Sequence, residues 1–265
     1  MLHSRHFHQP HNQQKPTLVF LHGLLGSGED WSATLDRLHS FSCITIDLPG
    51  HGQSVEMTCY DFDDCCDMIS KALIAHLPKA QPIVIIGYSM GGRIAMHGAA
   101  TCRFSALNLQ GLVIEGGNFG LLDAENKQKR LSNDERWAER FIHEPIEQVL
   151  IDWYQQGVFS SLNHEQKQLL QLKRSANLGC SIAKVLLATS LAKQQHLLAA
   201  LTRLAIPMHY VCGEKDTKFS QIAFKSGLRY SKVSGAGHNV HQECPEQFAQ
   251  VVHQFVNGFY EREIE

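Results

Sequence analysis

The chain has 265 residues, 43% of them apolar and 19% charged, with a formal net charge of −2. That length and balance suit one globular α/β unit with room for an insertion. They exclude a general basic field for nucleic acid or an anionic membrane, so any grip on an anionic ligand must come from local charge. No apolar run approaches the roughly 20 residues of a membrane-spanning helix. The polar, His-rich start MLHSRHFHQPHNQQKP lacks a signal-peptide core. Eight cysteines without CxxC spacing are expected as free thiols of a cytoplasmic protein. Sixteen histidines without HExxH or comparable spacing give no reason to expect a metal.

In chain order, His3–His8 reads as a short edge strand. Thr17–Leu21 (TLVFL) is apolar on successive residues, the pattern of a strand covered on both faces. Phe20–Gly26 (FLHGLLG) follows with an HG turn, where backbone N–H groups can face a nucleophile, and the Leu24 N–H is expected to be one donor. His22 here, and His51 in Asp47–Ser54 (DLPGHGQS), are expected to shape their loops. Cys43–Asp47 (CITID) and Pro82–Ile86 (PIVII) are further buried strands.

The second of these runs into Gly87-Tyr88-Ser89-Met90-Gly91, a GxSxG motif between a strand and a helix. In that context the serine sits on a sharp strand-to-helix turn, with small neighbours that let the backbone fold tightly. The turn exposes the Ser89 hydroxyl, and the helix N-terminus behind it favours developing negative charge. Met90 supplies the second N–H donor. Arg93 lies one helical turn after Ser89, where a cation opposes the helix dipole. Either it meets a substrate carboxylate as a bidentate partner, or it pairs with a nearby acid such as Glu115.

Gly111–Glu115 (GLVIE) is the next strand. From about Leu121 to Leu204 strands stop. Ala124–Phe141, Pro145–Tyr154 and Ser181–Leu201 have helical patterns, and Asn163 with Gln166 forms a helix-start signature. This helical stretch is expected as a lid (121–204) inserted between two parts of an α/β core (1–120 and 205–265). Of its cations Lys127, Lys129, Arg130, Arg136, Arg140 and Arg174, most belong to solvated faces. Trp153 and Tyr154 either wall a pocket or pack.

Met208–Cys212 (MHYVC) and Tyr230–Val233 complete the strands. A triad of this kind runs in the order Ser, acid, His. Asp216 in VCGEKD is preferred as the acid over Glu214. His238 in SGAGHN is preferred as the base over His241, which is expected on the loop. His238 exchanges a proton with Ser89, and Asp216 holds the imidazole tautomer and stabilises its cation.

Taken together, GYSMGGR, IEGGN, RWAERF, DWYQQGVFSSLN and CGEKDTKF resemble the 2-succinyl-6-hydroxy-2,4-cyclohexadiene-1-carboxylate synthase family of menaquinone biosynthesis. The resemblance covers nearly the whole chain, including the lid. It implies the α/β-hydrolase fold and a lyase that eliminates pyruvate, with Ser89 as base and no acyl-enzyme. The implied substrate is a small anion with several carboxylates. Arg93, Arg130 and Arg174 match positions that hold carboxylates, and Tyr88 and Trp153 match pocket positions. No metal or organic cofactor is implied. The family pattern has Leu where this chain has Met90 and Phe where it has Leu24; both positions act through backbone. The rival readings are a serine esterase or thioesterase, a carbon–carbon hydrolase, and a non-catalytic receptor on the same scaffold.

Overall fold

Strands that are apolar at every position need both faces covered. The computed structural model of the chain, which describes residues 1–7 and 15–260, sets them in the middle of a sheet. The strands are β1 (Ser4–Phe7), β2 (Thr17–Leu21), β3 (Cys43–Ile46), β4 (Pro82–Tyr88), β5 (Asn108–Glu115), β6 (Met208–Gly213) and β7 (Tyr230–Val233). Their order across the sheet is β1-β3-β2-β4-β5-β6-β7. β1 is antiparallel to β3, and every other neighbouring pair is parallel. The edge strand falls where the sequence predicts one; His8 lies outside the described residues.

The helices are α1 (Ser32–Leu35), α2 (Phe62–His76), α3 (Met90–Ala100), α4 (Ala124–His143), α5 (Ile146–Trp153), α6 (His164–Arg174), α7 (Gly179–Ala188), α8 (Leu198–Leu201), α9 (Thr217–Ser226), α10 (Val240–Glu243) and α11 (Pro245–Tyr260). Alternate residues of each strand feed two cores. Val19, Leu21, Ile83, Ile85, Leu112 and Ile114 pack against Ile69 and Leu73 of α2 and Ile94 of α3. Leu18, Phe20, Val84, Ile86 and Val113 pack on the other face against Trp31 and against Phe248, Val252 and Val256 of α11.

Between β5 and β6 the described residues form α4 to α8 and no strand. These helices have their own core, built from Ala138, Phe141, Val149, Leu150, Leu170, Ile182 and Leu186, and Leu25 from the loop after β2 joins it. Asn163 and Gln166 form the capping box that the sequence signals, each side chain accepting from the other's backbone N–H at 2.8 Å.

One predicted helix is broken. The Ser181–Leu201 pattern continues in apolar period, yet α7 ends at Ala188 and the chain turns before α8. Side chains from other elements capture this stretch. Arg93 Nη1 donates to the Thr189 carbonyl at 2.6 Å, and Ser190 Oγ donates to Asp134 Oδ2 at 2.7 Å. The Leu197 N–H goes to the Phe119 carbonyl at 2.7 Å. Tertiary partners thus outcompete a local helical preference. No helix among the described residues is long and apolar enough to cross a membrane.

The topology positions the site. After β3 the chain returns across β2 to form β4, so the loops following β2 and β4 emerge side by side at the carboxyl ends of the strands. A crevice of this kind is where open α/β sheets bind ligands.

Candidate active site

Ser89 links β4 to α3 with φ 49° and ψ −104°. A non-glycine residue with positive φ is strained, and the surroundings hold it there. Its N–H donates to the Glu115 carbonyl at 2.8 Å, and its carbonyl accepts from the Arg93 N–H at 3.0 Å. The turn runs α3 directly over the end of β2. A Cβ at Gly91 would collide with the Leu21 and His22 carbonyls, so only glycine permits the approach. Met90 opens α3, and its N–H is among those for which a helix offers no internal acceptor.

The loop after β2 brings up the second amide. His22 Nδ1–H donates to the Gly23 carbonyl at 2.7 Å, and its Nε2 accepts from the Leu48 N–H at 2.9 Å. His51 Nδ1–H donates to the Pro49 carbonyl at 2.9 Å, while its Nε2 accepts from the Leu25 N–H at 3.0 Å. The carbonyl before Leu24 and the amide after it are therefore both fixed. Each histidine is fully buried in a single neutral tautomer. Burial lowers both pKa values from the usual 6.5, and for His51 the neighbouring His22 lowers it further. Both rings act as struts between the two loops.

His238 and Asp216 come from the loops after β7 and β6. His238 Nδ1–H donates to Asp216 Oδ2 at 2.7 Å, and its Nε2 lies 3.4 Å from Ser89 Oγ. Asp216 Oδ1 accepts from the Phe219 N–H at 3.1 Å and so caps α9. Gly116, at φ 58°, lies under the imidazole; a Cβ there would come within 2.7 Å of His238 Cε1. The loop carrying His238 is gripped on both sides. Glu243 Oε2 accepts from the Gly237 N–H at 2.9 Å, and Oε1 from the Asn239 N–H at 3.2 Å.

The other candidates for acid and base have different partners. Glu214 is exposed and accepts from Ser234 Oγ and the Gly235 N–H. His241 lies in α10 and is fully buried, not out on the loop. Its backbone N–H and Nδ1–H both donate to Glu115. That engages Glu115, so it is not the partner of Arg93.

A cavity of about 500 Å³ opens above this group. Leu24, Tyr88, Ser89, Arg130, Trp153, Asp216 and His238 line it. Arg130 reaches in from α4, with its Nε on both oxygens of Asp134 at 2.8 and 2.9 Å. Arg93 and Arg174 do not line the cavity. Arg93 is buried on the Thr189 carbonyl with Gln194 beside it and Phe62 under its guanidinium, and burial lowers its pKa to about 9. Arg174 is buried against Asp30, donating from Nη2 to Oδ2 at 2.7 Å. Burial acts to raise the Asp30 pKa, and the Arg174 charge outweighs it and holds the carboxyl low. Lys129 and Arg140 are spent on ion pairs of the outer helix faces, with Glu125 and with Glu144 and Asp152. Tyr154 is packed on Phe159 away from solvent, whereas Trp153 stacks edge-on against Trp137 and walls the cavity.

Sequence reasoning did not single out Glu243, Asp134, Asn239, Lys215 or Lys218. The acid five residues after His238 and the lysines flanking Asp216 were visible as residues, but nothing local says where they point. Tyr88 Oη donates to Asn239 Oδ1, which ties the elbow to the His238 loop. Among the described residues no cluster of three or more His, Cys, Asp or Glu is arranged to hold a metal ion.

Comparisons with known proteins agree with this fold. A family model described as the alpha/beta hydrolase family matches residues 18–251. The chain is 45% identical over 247 residues to a 2-succinyl-6-hydroxy-2,4-cyclohexadiene-1-carboxylate synthase of Yersinia pseudotuberculosis serotype O:3, covering 93% of this chain and 89% of the relative. It is also 45% identical to the synthase of the same name from Yersinia enterocolitica, covering 91% of this chain and 87% of the relative. The solved structure of MenH from S. aureus superposes with a TM-score of 0.88 at 27% identity, covering 97% of this chain and 99% of that one.

The neutral struts have a consequence for stability. Unfolded histidines bind protons as pH falls below about 6.5, whereas buried His22 and His51 do so only at lower pH. Their stabilising contribution is thus complete above about pH 6.5 and is lost as pH falls toward the folded values. The melting temperature measured at pH 7.5, 6.5 and 5.5 is expected to fall along that series; a constant value would contradict the assignment.

Proposed function

This chain belongs to the alpha/beta hydrolase family, together with the synthases it resembles at 45% identity, and on that basis we propose that it is a carbon–oxygen lyase. It eliminates pyruvate from 2-succinyl-5-enolpyruvyl-6-hydroxy-3-cyclohexene-1-carboxylate to give 2-succinyl-6-hydroxy-2,4-cyclohexadiene-1-carboxylate, a step of menaquinone biosynthesis. The observation that carries the reading is the Ser89–His238–Asp216 relay at the base of a cavity bordered by Arg130.

The substrate and product names define the bond changes. The ring carbon bearing the succinyl group loses a proton. The ring double bond shifts, and the bond from carbon 5 to the enolpyruvyl oxygen breaks. Ser89 Oγ takes the ring proton as its own passes to His238 Nε2, and Asp216 stabilises the imidazolium that forms. Negative charge develops on the succinyl ketone oxygen, and the Leu24 and Met90 N–H groups hold it. Collapse of this enolate expels the enolpyruvyl group. A proton returned from His238 leaves it as pyruvate, so the serine forms no bond to carbon.

Arg130 and Trp153 are the substrate-binding candidates that line the cavity, with Tyr88 at its base. Arg93 and Arg174 would have to release Thr189 and Asp30 before meeting a carboxylate directly. As the structure stands, they brace the helices around the site. In this reading residues 121–204 act as a lid over a core formed by 1–120 and 205–265. The enzyme works in the cytoplasm on a small anionic substrate without metal or organic cofactor.

Purified protein supplied with the enolpyruvyl-cyclohexene substrate, generated in situ by the preceding enzyme, is expected to release pyruvate well above the spontaneous rate. Ser89→Ala is expected to lower that rate by at least about 100-fold. Release at background by the wild type would overturn the reading. Glu243 grips the loop of His238 without touching substrate, so Glu243→Ala is expected to cost about 10- to 100-fold in kcat/KM through misplacement of the imidazole. An unchanged kcat/KM would remove Glu243 from the account.

A further inference from the structure

Lys218 carries a charge that its surroundings do not explain. It is the second residue of α9, in the first turn, where the helix dipole disfavours a cation. Its ammonium lies 5.3 Å from the Phe219 ring centroid, and it forms no ion pair among the described residues. Its side chain lines the same cavity as Ser89, His238 and Arg130.

The charged groups facing it offer no free counter-ion. From α4 come Arg130 and Asp134. Asp134 is occupied by Arg130 Nε and by Ser190 Oγ. From the loop ahead of α9 come Lys215 and Asp216, and Asp216 is occupied by His238 Nδ1 and the Phe219 N–H. His238 completes the set. Burial, and then the like charge of Arg130, hold the Lys218 pKa below that of an ordinary lysine. Three cations, Arg130 of α4, Lys215 of the loop ahead of α9 and Lys218 of α9, therefore border one cavity whose carboxylates are already engaged.

We infer that Lys218 is a second carboxylate-binding residue of this site, gripping one substrate carboxylate from the core side while Arg130 grips it from the inserted helices. The inference rests on the anionic substrate proposed above. The guanidinium fork of Arg130 sets the orientation of the carboxylate, and the compact ammonium adds attraction without fixing an angle. An anion held between them relieves the repulsion of the two cations. It also joins α4 to α9, whose first turn is pinned to Asp216, and so registers the ring against the triad.

The test compares wild type, Lys218→Met, Lys218→Arg and, as a control for overall charge, Lys129→Met, a lysine on the outer face of α4 paired with Glu125. Lys218→Met is expected to raise the KM for pyruvate release about 10-fold, the scale of one charge-assisted hydrogen bond, with kcat little changed. Lys218→Arg and Lys129→Met are expected to keep the wild-type KM. As pH rises, the wild-type KM is expected to climb before the ordinary lysine range is reached, while Lys218→Arg stays flat. An unchanged KM in Lys218→Met, an equal loss in Lys218→Arg, or an equal rise in Lys129→Met would overturn the inference. If the wild type releases no pyruvate, the proposed function falls, and calorimetric binding of pyruvate then decides on Lys218 alone. About 10-fold weaker binding in Lys218→Met keeps the carboxylate site, and equal binding removes it.

Discussion

A serine held at φ 49° between the end of a strand and the first residue of a helix carries strain of about 1–3 kcal/mol, so its neighbours must over-determine it. They do so from three directions. Glu115, on the adjacent strand, accepts the Ser89 N–H, and α3 closes over Gly91 onto the end of β2. Tyr88 is tied to Asn239 in the loop of His238. The strain keeps the Ser89 hydroxyl out of the sheet and within reach of His238. The same turn leaves the Met90 N–H beside it.

The remaining loops are set against that turn by buried polar groups rather than by apolar packing alone. His22 and His51 cross-link the loops after β2 and β3 and fix both peptides around Leu24. Asp47 adds to this by accepting from the Gly28 and Gln53 N–H groups at 2.7 and 2.8 Å. Glu115 and Glu243 hold the segment 237–241 from two sides. Buried polar groups of this kind are costly unless every partner is present, which is why they specify one arrangement of the loops. The inserted helices are attached through the same means. Arg93 grips the end of α7, Arg174 grips Asp30, and Asn177 Nδ2 donates to the Leu25 carbonyl at 3.1 Å.

What could be read from the sequence follows from this division. The five strands β2 to β6 are visible because apolar runs of strand length bounded by turn signals read as buried strands. Ser89, Asp216 and His238 are visible because each sits in the turn or loop that follows a strand. The α6 start is visible because a capping box is local. The end of α7 is not, since its causes are Arg93, Asp134 and the Phe119 carbonyl, all remote in sequence. The destinations of the arginines are hidden for the same reason. Arg93 has the spacing of a residue facing the cavity and instead serves a helix end. Arg130, one cation among several on an amphipathic helix, lines the site. His241 looks like a loop residue until its burial against Glu115 is seen.

The central claim is that Ser89 acts as a base on carbon and forms no acyl-enzyme. It is tested most directly by single-turnover pyruvate release from substrate carrying deuterium in place of the ring hydrogen beside the succinyl ketone. Proton removal by Ser89 predicts a several-fold slower release from the deuterated substrate. Equal rates for the two substrates would contradict it and return the serine to the role of a covalent nucleophile.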